Sequence, residues 1–366
     1  MSAILIMSPE PWDGHAVSKH HYAVELARKG HAVLFYGPPS WSGPMVIEHV
    51  ERDGVHLRVV RAGRVAPGLR WFPASLRRGI EALWLKKLER VAGCRVGVVW
   101  LFENSRFYDL RFAGPRLKIY HQVDLNQDFH PATAAASADI CFCTSDFIRE
   151  RLLPHQPRVF KIHHGTPQAQ APLSLSEEQQ GRLDHPGAQA ACIGNLDMAY
   201  LDAELLARAM RALPEVRFHL VGGYSRAGLL WQLAGNLPNT VWWGKLDSGL
   251  IPPVLARVDV LLVAYQAARW REQLSNPHKF MEYLASGKTI VATYTHEYKD
   301  KRHLLEMVDD SRDFVGLLGK ILQDLENYNS PVRTAVRREF AANNSYAQKL
   351  LEINQYLVRN SLPSIL

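Results

Sequence analysis

The sequence predicts an α/β protein of two doubly wound parallel-sheet domains, from three observations. Short, continuous apolar runs, of the kind that form strands buried on both faces, alternate with stretches of helical period. The alternation breaks off once, at 166–188, where Pro, Gln, Ala and Ser dominate and periodicity is poor. The 366 residues suffice for two separate cores. The expected division is a first domain over 1–168, a linker over 169–187 and a second domain over 188–335. A last helical segment, 336–366, is expected to pack back on the first domain.

The first series opens with AILIM (3–7) as a buried strand, then the loop SPEPWDGHAVS, the helix KHHYAVELARKG and the strand in GHAVLFYG. This is the repeating unit of a doubly wound sheet, without the GxGxxG fingerprint of a dinucleotide binder. Gly14 in that loop lets main chain approach a ligand, with His15, Lys19 and His20 nearby. Each of those side chains is also compatible with a plain, solvated strand-to-helix turn. SLRRGIEALWLKKLERVAG lies in the most basic part of the chain. At helical spacing it pairs a basic face with an apolar one, which suits an anionic membrane surface through Trp84 and its flanking lysines. Leu83 and Leu88 are assigned to the protein's own core.

VGVVWLF (96–102), LKIYHQVD (117–124), ADICFCTS (138–145) and RVFKIHHGTP (158–167) complete the first series. Residues at the carboxyl ends of parallel strands face the ligand crevice, so His121 and Asp124 are site candidates. His163 and His164 point to opposite sides of a strand and do not suggest a metal site. The second series runs through AQAACIGNLD, AELLARAMRAL, VRFHLVGG, TVWWGKLD and VDVLLVAY to the loop QAARWREQLS.

Residues 275–293, SNPHKFMEYLASGKTIVAT, carry the strongest chemistry. Ser275 or Asn276 is expected to cap a helix with Pro277 in its first turn, and Gly287 to end it. Such a helix start suits a phosphate, and Lys279 adds a full charge there. Glu282 stands in an apolar run, where a carboxylate is costly to bury alone. Pointing back toward the helix mouth, it is placed to accept two hydrogen bonds from a vicinal diol such as a ribose. An ordinary capped helix with a solvated Glu282 is the other reading.

The composition is globular, 47% hydrophobic and 22% charged, and the net charge of +7 favours anionic partners. No nucleic-acid recognition motif accompanies that charge. The 4 cysteines are too few for a disulfide framework and none has zinc-ligand spacing. No signal peptide or transmembrane run is read, so the expected location is cytoplasmic, peripheral on the inner face of the cell membrane.

Taken in order along nearly the whole chain, these pieces resemble the GT-B glycosyltransferases, particularly the bacterial family-4-like enzymes that build surface polysaccharides. WDGHAVSKHHYAVELARKGHAVLFYGP, KIYHQVD, ADICFCTSDFIRERL and RVFKIHHGTP are similar to that family's first domain. ACIGNLD, FHLVGG, WWGKLDSGLIPPVLARVDVLLVAY and NPHKFMEYLASGKTIVAT are similar to its nucleotide domain. The resemblance implies two Rossmann-like domains facing a cleft, a nucleotide-sugar donor on the second and a glycan or lipid-linked acceptor on the first. It implies retention of anomeric configuration and no essential metal or cofactor. It gives Glu282 the donor ribose, and the loop of Asn276 and Pro277 the diphosphate, with Lys279 assisting.

Two departures stand out. Many relatives carry Glu-x7-Glu, whose first Glu falls at Leu274 here. Many carry an Arg and a Lys after the first strand of the second domain, where this chain has Gly194 and Asn195, then Met198 and Ala199. Arg269, Arg271, Lys245 and Lys279 are then the cations available to a leaving diphosphate. A non-catalytic partner subunit and a nucleotide-sugar epimerase are the competing functions.

Overall fold

The computed structural model describes residues 2–39, 43–125, 128–168 and 173–366. The chain forms two compact units, Met1–Gly165 with Tyr346–Leu366, and Thr166–Ser345.

The first unit holds β1 (Ala3–Met7), β2 (Val33–Tyr36), β3 (Val46–Arg52), β4 (Val55–Arg61), β5 (Val96–Leu101), β6 (Leu117–Gln122), β7 (Ile140–Cys143) and β8 (Val159–Lys161). They form one sheet in the order β3-β4-β2-β1-β5-β6-β7-β8, parallel except for the β3–β4 pair. β1, β2 and β7 are buried throughout because helices cover both faces of the sheet. The antiparallel edge hairpin was not anticipated. Its turn, Asp53-Gly54, has φ of 51° and 72°, the left-handed pair that a two-residue hairpin turn demands. A D-G pair between alternating residues is the signal that reveals it.

The helix Ala74–Ala92 corrects the sequence reading. Its buried stripe is Arg77, Glu81, Trp84, Leu85 and Leu88. Trp84 is only 7% exposed and packs on Tyr36 and Phe107, with ring centroids 4.8 and 5.1 Å away. Leu83 is 65% exposed. One residue step turns the helix by about 100°, so adjacent Leu83 and Trp84 cannot share a face. The buried stripe itself carries an Arg and a Glu, which disguised it.

The final helix, Tyr346–Arg359, closes this unit. Tyr346, Leu350, Ile353 and Leu357 enter the core beside Ile4, Trp100 and Phe142. Burying each such side chain contributes about 2 kcal/mol. Tyr346 Oη donates to Ser18 Oγ at 2.9 Å, and Ser18 Oγ lies 3.1 Å from His164 Nδ1.

The second unit holds β9 (Gln189–Ile193), β10 (Arg217–Val221), β11 (Thr240–Gly244), β12 (Val260–Val263), β13 (Thr289–Ala292) and β14 (Glu306–Met307). Its sheet is parallel throughout, in the order β11-β10-β9-β12-β13-β14. Of the expected linker, 169–172 lie outside the described residues, and the rest contains the helix Glu177–Leu183. Ser176 and Gln179 form a reciprocal capping box there, a short-range signal that composition had masked.

The focal helix is Lys279–Ser286, two residues shorter at its start than expected. Its cap residue is His278, without a side-chain cap. Ser275 and Asn276 lie ahead of it, because the Ser275 carbonyl accepts from Glu297 N–H at 3.0 Å and ties that segment to another loop. Gly287, at φ 80°, ends the helix as expected. Among the described residues, no helix is long and apolar enough to cross a membrane.

The corrected orientation is testable by urea denaturation. Trp84→Ala is expected to cost about 3–5 kcal/mol as a core truncation. Leu83→Ala is expected to stay within about 0.5 kcal/mol. The reverse ranking would restore the face read from sequence.

Candidate functional site

In the second unit, chemistry gathers where β9 and β10 end. Both main-chain polar groups of Ile193, the last residue of β9, are taken by the focal helix. Its N–H donates to Tyr283 Oη at 3.0 Å, and its carbonyl accepts from Lys279 Nζ. Lys279 and Tyr283 are four residues apart, so they project from one side of the helix. Burial works against the Lys279 charge, but Tyr265 and Tyr283 beside it hold the ammonium above the ordinary lysine range. Its Nζ lies 5.6 Å from the Tyr265 ring centroid.

The main chain beyond the strands is equally constrained. Gly194 N–H donates to Val221 O at 2.8 Å, and Gly222 N–H to Gly244 O at 2.8 Å. Gly194 and Gly222 have φ of 139° and 137°, open in practice only to glycine. A Cβ on Gly194 would lie 2.6 Å from Lys279 Nζ, and one on Gly222 would overlap the Gly194 carbonyl oxygen. The two loops therefore touch through bare backbone, with an ammonium seated beside them.

Glu282 is exposed between buried Met281 and Tyr283. Surrounding protein removes part of its hydration and raises its carboxyl, while Lys279 opposes the shift. This arrangement can take an anionic group near Lys279 and Gly194 and a hydroxylated group at Glu282.

The other expected residues fall into place unevenly. Asn195 is exposed, and its Oδ1 accepts from Asp197 N–H at 3.1 Å. Lys245 is exposed, with its Cε 3.0 Å from where a Gly223 Cβ would stand. Asn276 is buried and Pro277 half-buried. Arg269 and Arg271 are exposed and lean on rings instead, 5.3 Å from the Trp270 centroid and 4.8 Å from that of Tyr294. Sequence reasoning missed Tyr283, Tyr265, Gly222 and Gly223. The i, i+4 spacing of Lys279 and Tyr283 was the available signal for the first.

Residues 188–324 match the family described as Glycosyl transferases group 1. The matched stretch lies within the second unit. TuaH of Bacillus subtilis (strain 168), a teichuronic acid biosynthesis glycosyltransferase by name, is 22% identical over 200 residues. That alignment spans 50% of this chain and 50% of TuaH. Among solved structures, sucrose-phosphate synthase from Thermosynechococcus elongatus superposes with a TM-score of 0.73 at 15% identity, over 98% of this chain and 99% of that one. WaaG, a glycosyltransferase involved in lipopolysaccharide biosynthesis, gives 0.62 at 14% identity, over 97% and 99%. At these identities the likeness establishes the fold: the chain is GT-B.

Leu274, the position that the resemblance sets against the first acid of Glu-x7-Glu, is buried in the second unit's core. The first unit's candidates are corrected in part. His121 is buried among Phe102, Tyr22 and Phe142, with centroids 5.0, 5.7 and 5.8 Å away. Burial lowers its pKa to about 3, so it stays neutral and does not open onto solvent. Neither of its ring nitrogens has a hydrogen-bond partner among the described residues. Asp124 is half-buried just beyond β6, its carbonyl accepting from Gln122 Nε2 at 3.3 Å. Gly14 sits in an exposed turn, donating to Pro11 O at 3.3 Å, and nothing in its conformation requires glycine. Lys19 and His20 are structural. Lys19 is buried in an ion pair with Glu10 at 2.5 Å. His20 accepts from Val17 N–H at 3.3 Å and faces Pro11 O at 3.0 Å.

Tyr283→Phe strands the Ile193 N–H and is expected to cost about 1–3 kcal/mol of stability. Gly194→Ala is expected to push the Lys279 ammonium aside and weaken binding of inorganic pyrophosphate, read by calorimetry. Unchanged stability in the first, with unchanged binding in the second, would remove the staple from the site.

Burial also holds His20 and His219 at about 4, against an ordinary 6.5. Unfolded chains take up these protons first, so stability is full above pH ~6.5 and falls as pH drops toward the folded values. His121→Phe is expected to make that acid limb shallower, while changing stability at pH 7 by less than about 1.5 kcal/mol. An unaltered limb in pH-dependent melting would show His121 already charged or solvated.

Proposed function

We propose that the chain transfers a sugar from a nucleoside-diphosphate sugar to a hydroxyl of a glycan or lipid-linked acceptor, in cell-surface polysaccharide synthesis. The single observation that carries this reading is the staple of Lys279 and Tyr283 on Ile193. It fixes the helix bearing Glu282 against a glycine-lined turn in the stretch that matches group 1 glycosyltransferases. The name of TuaH supports a polysaccharide role.

In this reading the barrier is charge separation, positive on the sugar ring and negative on the departing diphosphate. Lys279, Arg269, Arg271 and Lys245 are the chain's own cations for that diphosphate, and Gly194 and Asn195 let main chain come close. They would take the place of a metal ion. Glu282 accepts from the ribose hydroxyls. The reaction retains configuration. Asp124 in the first unit is placed in solvent reach for an acceptor hydroxyl, whereas His121 is not.

One observation favours a second reading, a nucleotide-binding partner subunit without transfer activity. The buried Leu274 supplies no carboxylate toward a donor sugar.

A thermal-shift panel of UDP, GDP and their sugars, with Glu282→Ala in parallel, separates the cases. Wild type is expected to be stabilised by one nucleotide class, and loss of a charged acceptor to weaken that binding about tenfold or more. No stabilisation by any nucleotide counts against donor binding. Binding without consumption of a sugar nucleotide, across acceptor extracts, supports the partner-subunit reading.

A further inference from the structure

With Trp84 inside, the surface that faces outward from the basic helix is a different one. Just before the helix, Trp71 is 72% and Phe72 39% exposed; on it, Leu76 is 53% and Leu83 65% exposed. Leu76 and Leu83 are seven residues apart, two turns on one side, and Lys87 and Arg90 continue the same line. Arg70 lies 4.3 Å over the Trp71 ring. Lys86, Lys87 and Arg90 are exposed.

The charge on this stretch is one-sided. Between residues 62 and 92 the only acids are Glu81 and Glu89. Glu81 is fully buried near Arg77. Glu89 is occupied by Arg116 and by Val96 N–H, both at 2.8 Å. The outward face is thus apolar at one end and cationic at the other.

We propose that this face docks the protein on an anionic bilayer, an inference that rests on the lipid-linked acceptor of the reading above. Trp71, Phe72, Leu76 and Leu83 enter the boundary between headgroups and acyl chains. Arg70, Lys86, Lys87 and Arg90 bind lipid phosphates around them. A Trp with a cation on its ring suits that boundary, where one side is apolar and the other wet. Of the basic residues between 62 and 92, Arg77 is buried, and Arg64, Arg70, Arg78, Lys86, Lys87 and Arg90 reach the surface. With no exposed acid among them, they complement a negative lipid surface.

The test floats the full chain with vesicles of phosphatidylcholine alone and with added phosphatidylglycerol. Wild type is expected to float with the anionic vesicles only, and less as salt rises. The triple variant Trp71→Ser, Leu76→Ser, Leu83→Ser is expected to lose at least about fivefold of that binding. Its melting temperature and its response to nucleotides should be unchanged, since these positions are exposed. Wild type that stays unbound, or a folded variant that floats as well as wild type, overturns the proposal. Nucleotide stabilisation, measured on the same samples, reports separately on the donor site.

Discussion

The second unit's chemistry depends on how one strand residue is held. Ile193 has both of its main-chain groups bound by side chains of a single helix, Tyr283 at its N–H and Lys279 at its carbonyl. A strand end would otherwise leave such groups to water or to the next loop. The helix is eight residues long, too short to be stable or directional alone. Its other end is held just as firmly. Arg337, buried, donates to Gly287 O at 3.2 Å, and Arg338 donates twice to Ser286 O, at 3.2 and 3.0 Å. These cations sit at the negative end of the helix dipole, where they stabilise it.

Fixing both ends fixes Glu282 between them. The carboxylate can stay exposed because Met281 and Tyr283 on either side carry the packing. Burial lowers the Arg337 guanidinium to about 10, yet it stays charged at neutral pH with three carbonyls for partners. The arrangement uses cations to bind backbone at both helix ends, and Lys279 spends one of its three ammonium donors on Ile193 O.

The first unit follows a different rule, with polar groups taken inside rather than arrayed at strand ends. His121, Trp100 and Glu81 all carry buried polar atoms without hydrogen-bond partners among the described residues. Burial raises the Glu81 carboxyl to about 8, with Arg77 opposing and Asp109 and Glu103 reinforcing. Such groups are held by the packing around them rather than by local preference.

The sequence alone determined the inner parallel strands of both sheets and their order along the chain, without the edge strands β3, β4 and β14, and the focal helix with its glycine end. Strand runs and helical period are short-range signals, so they can be read without a fold. Tertiary structure decided what those residues touch. Ile193 lies 86 and 90 residues from its partners, and no local pattern reports a pairing over that distance. It also decided which way the basic helix turns, since Leu83 and Trp84 differ by one step and only a neighbouring core with Tyr36 and Phe107 chooses between them. It also closed His121, the last but one residue of β6, inside an aromatic interior for the same reason: burial is a property of the surroundings and not of the residue.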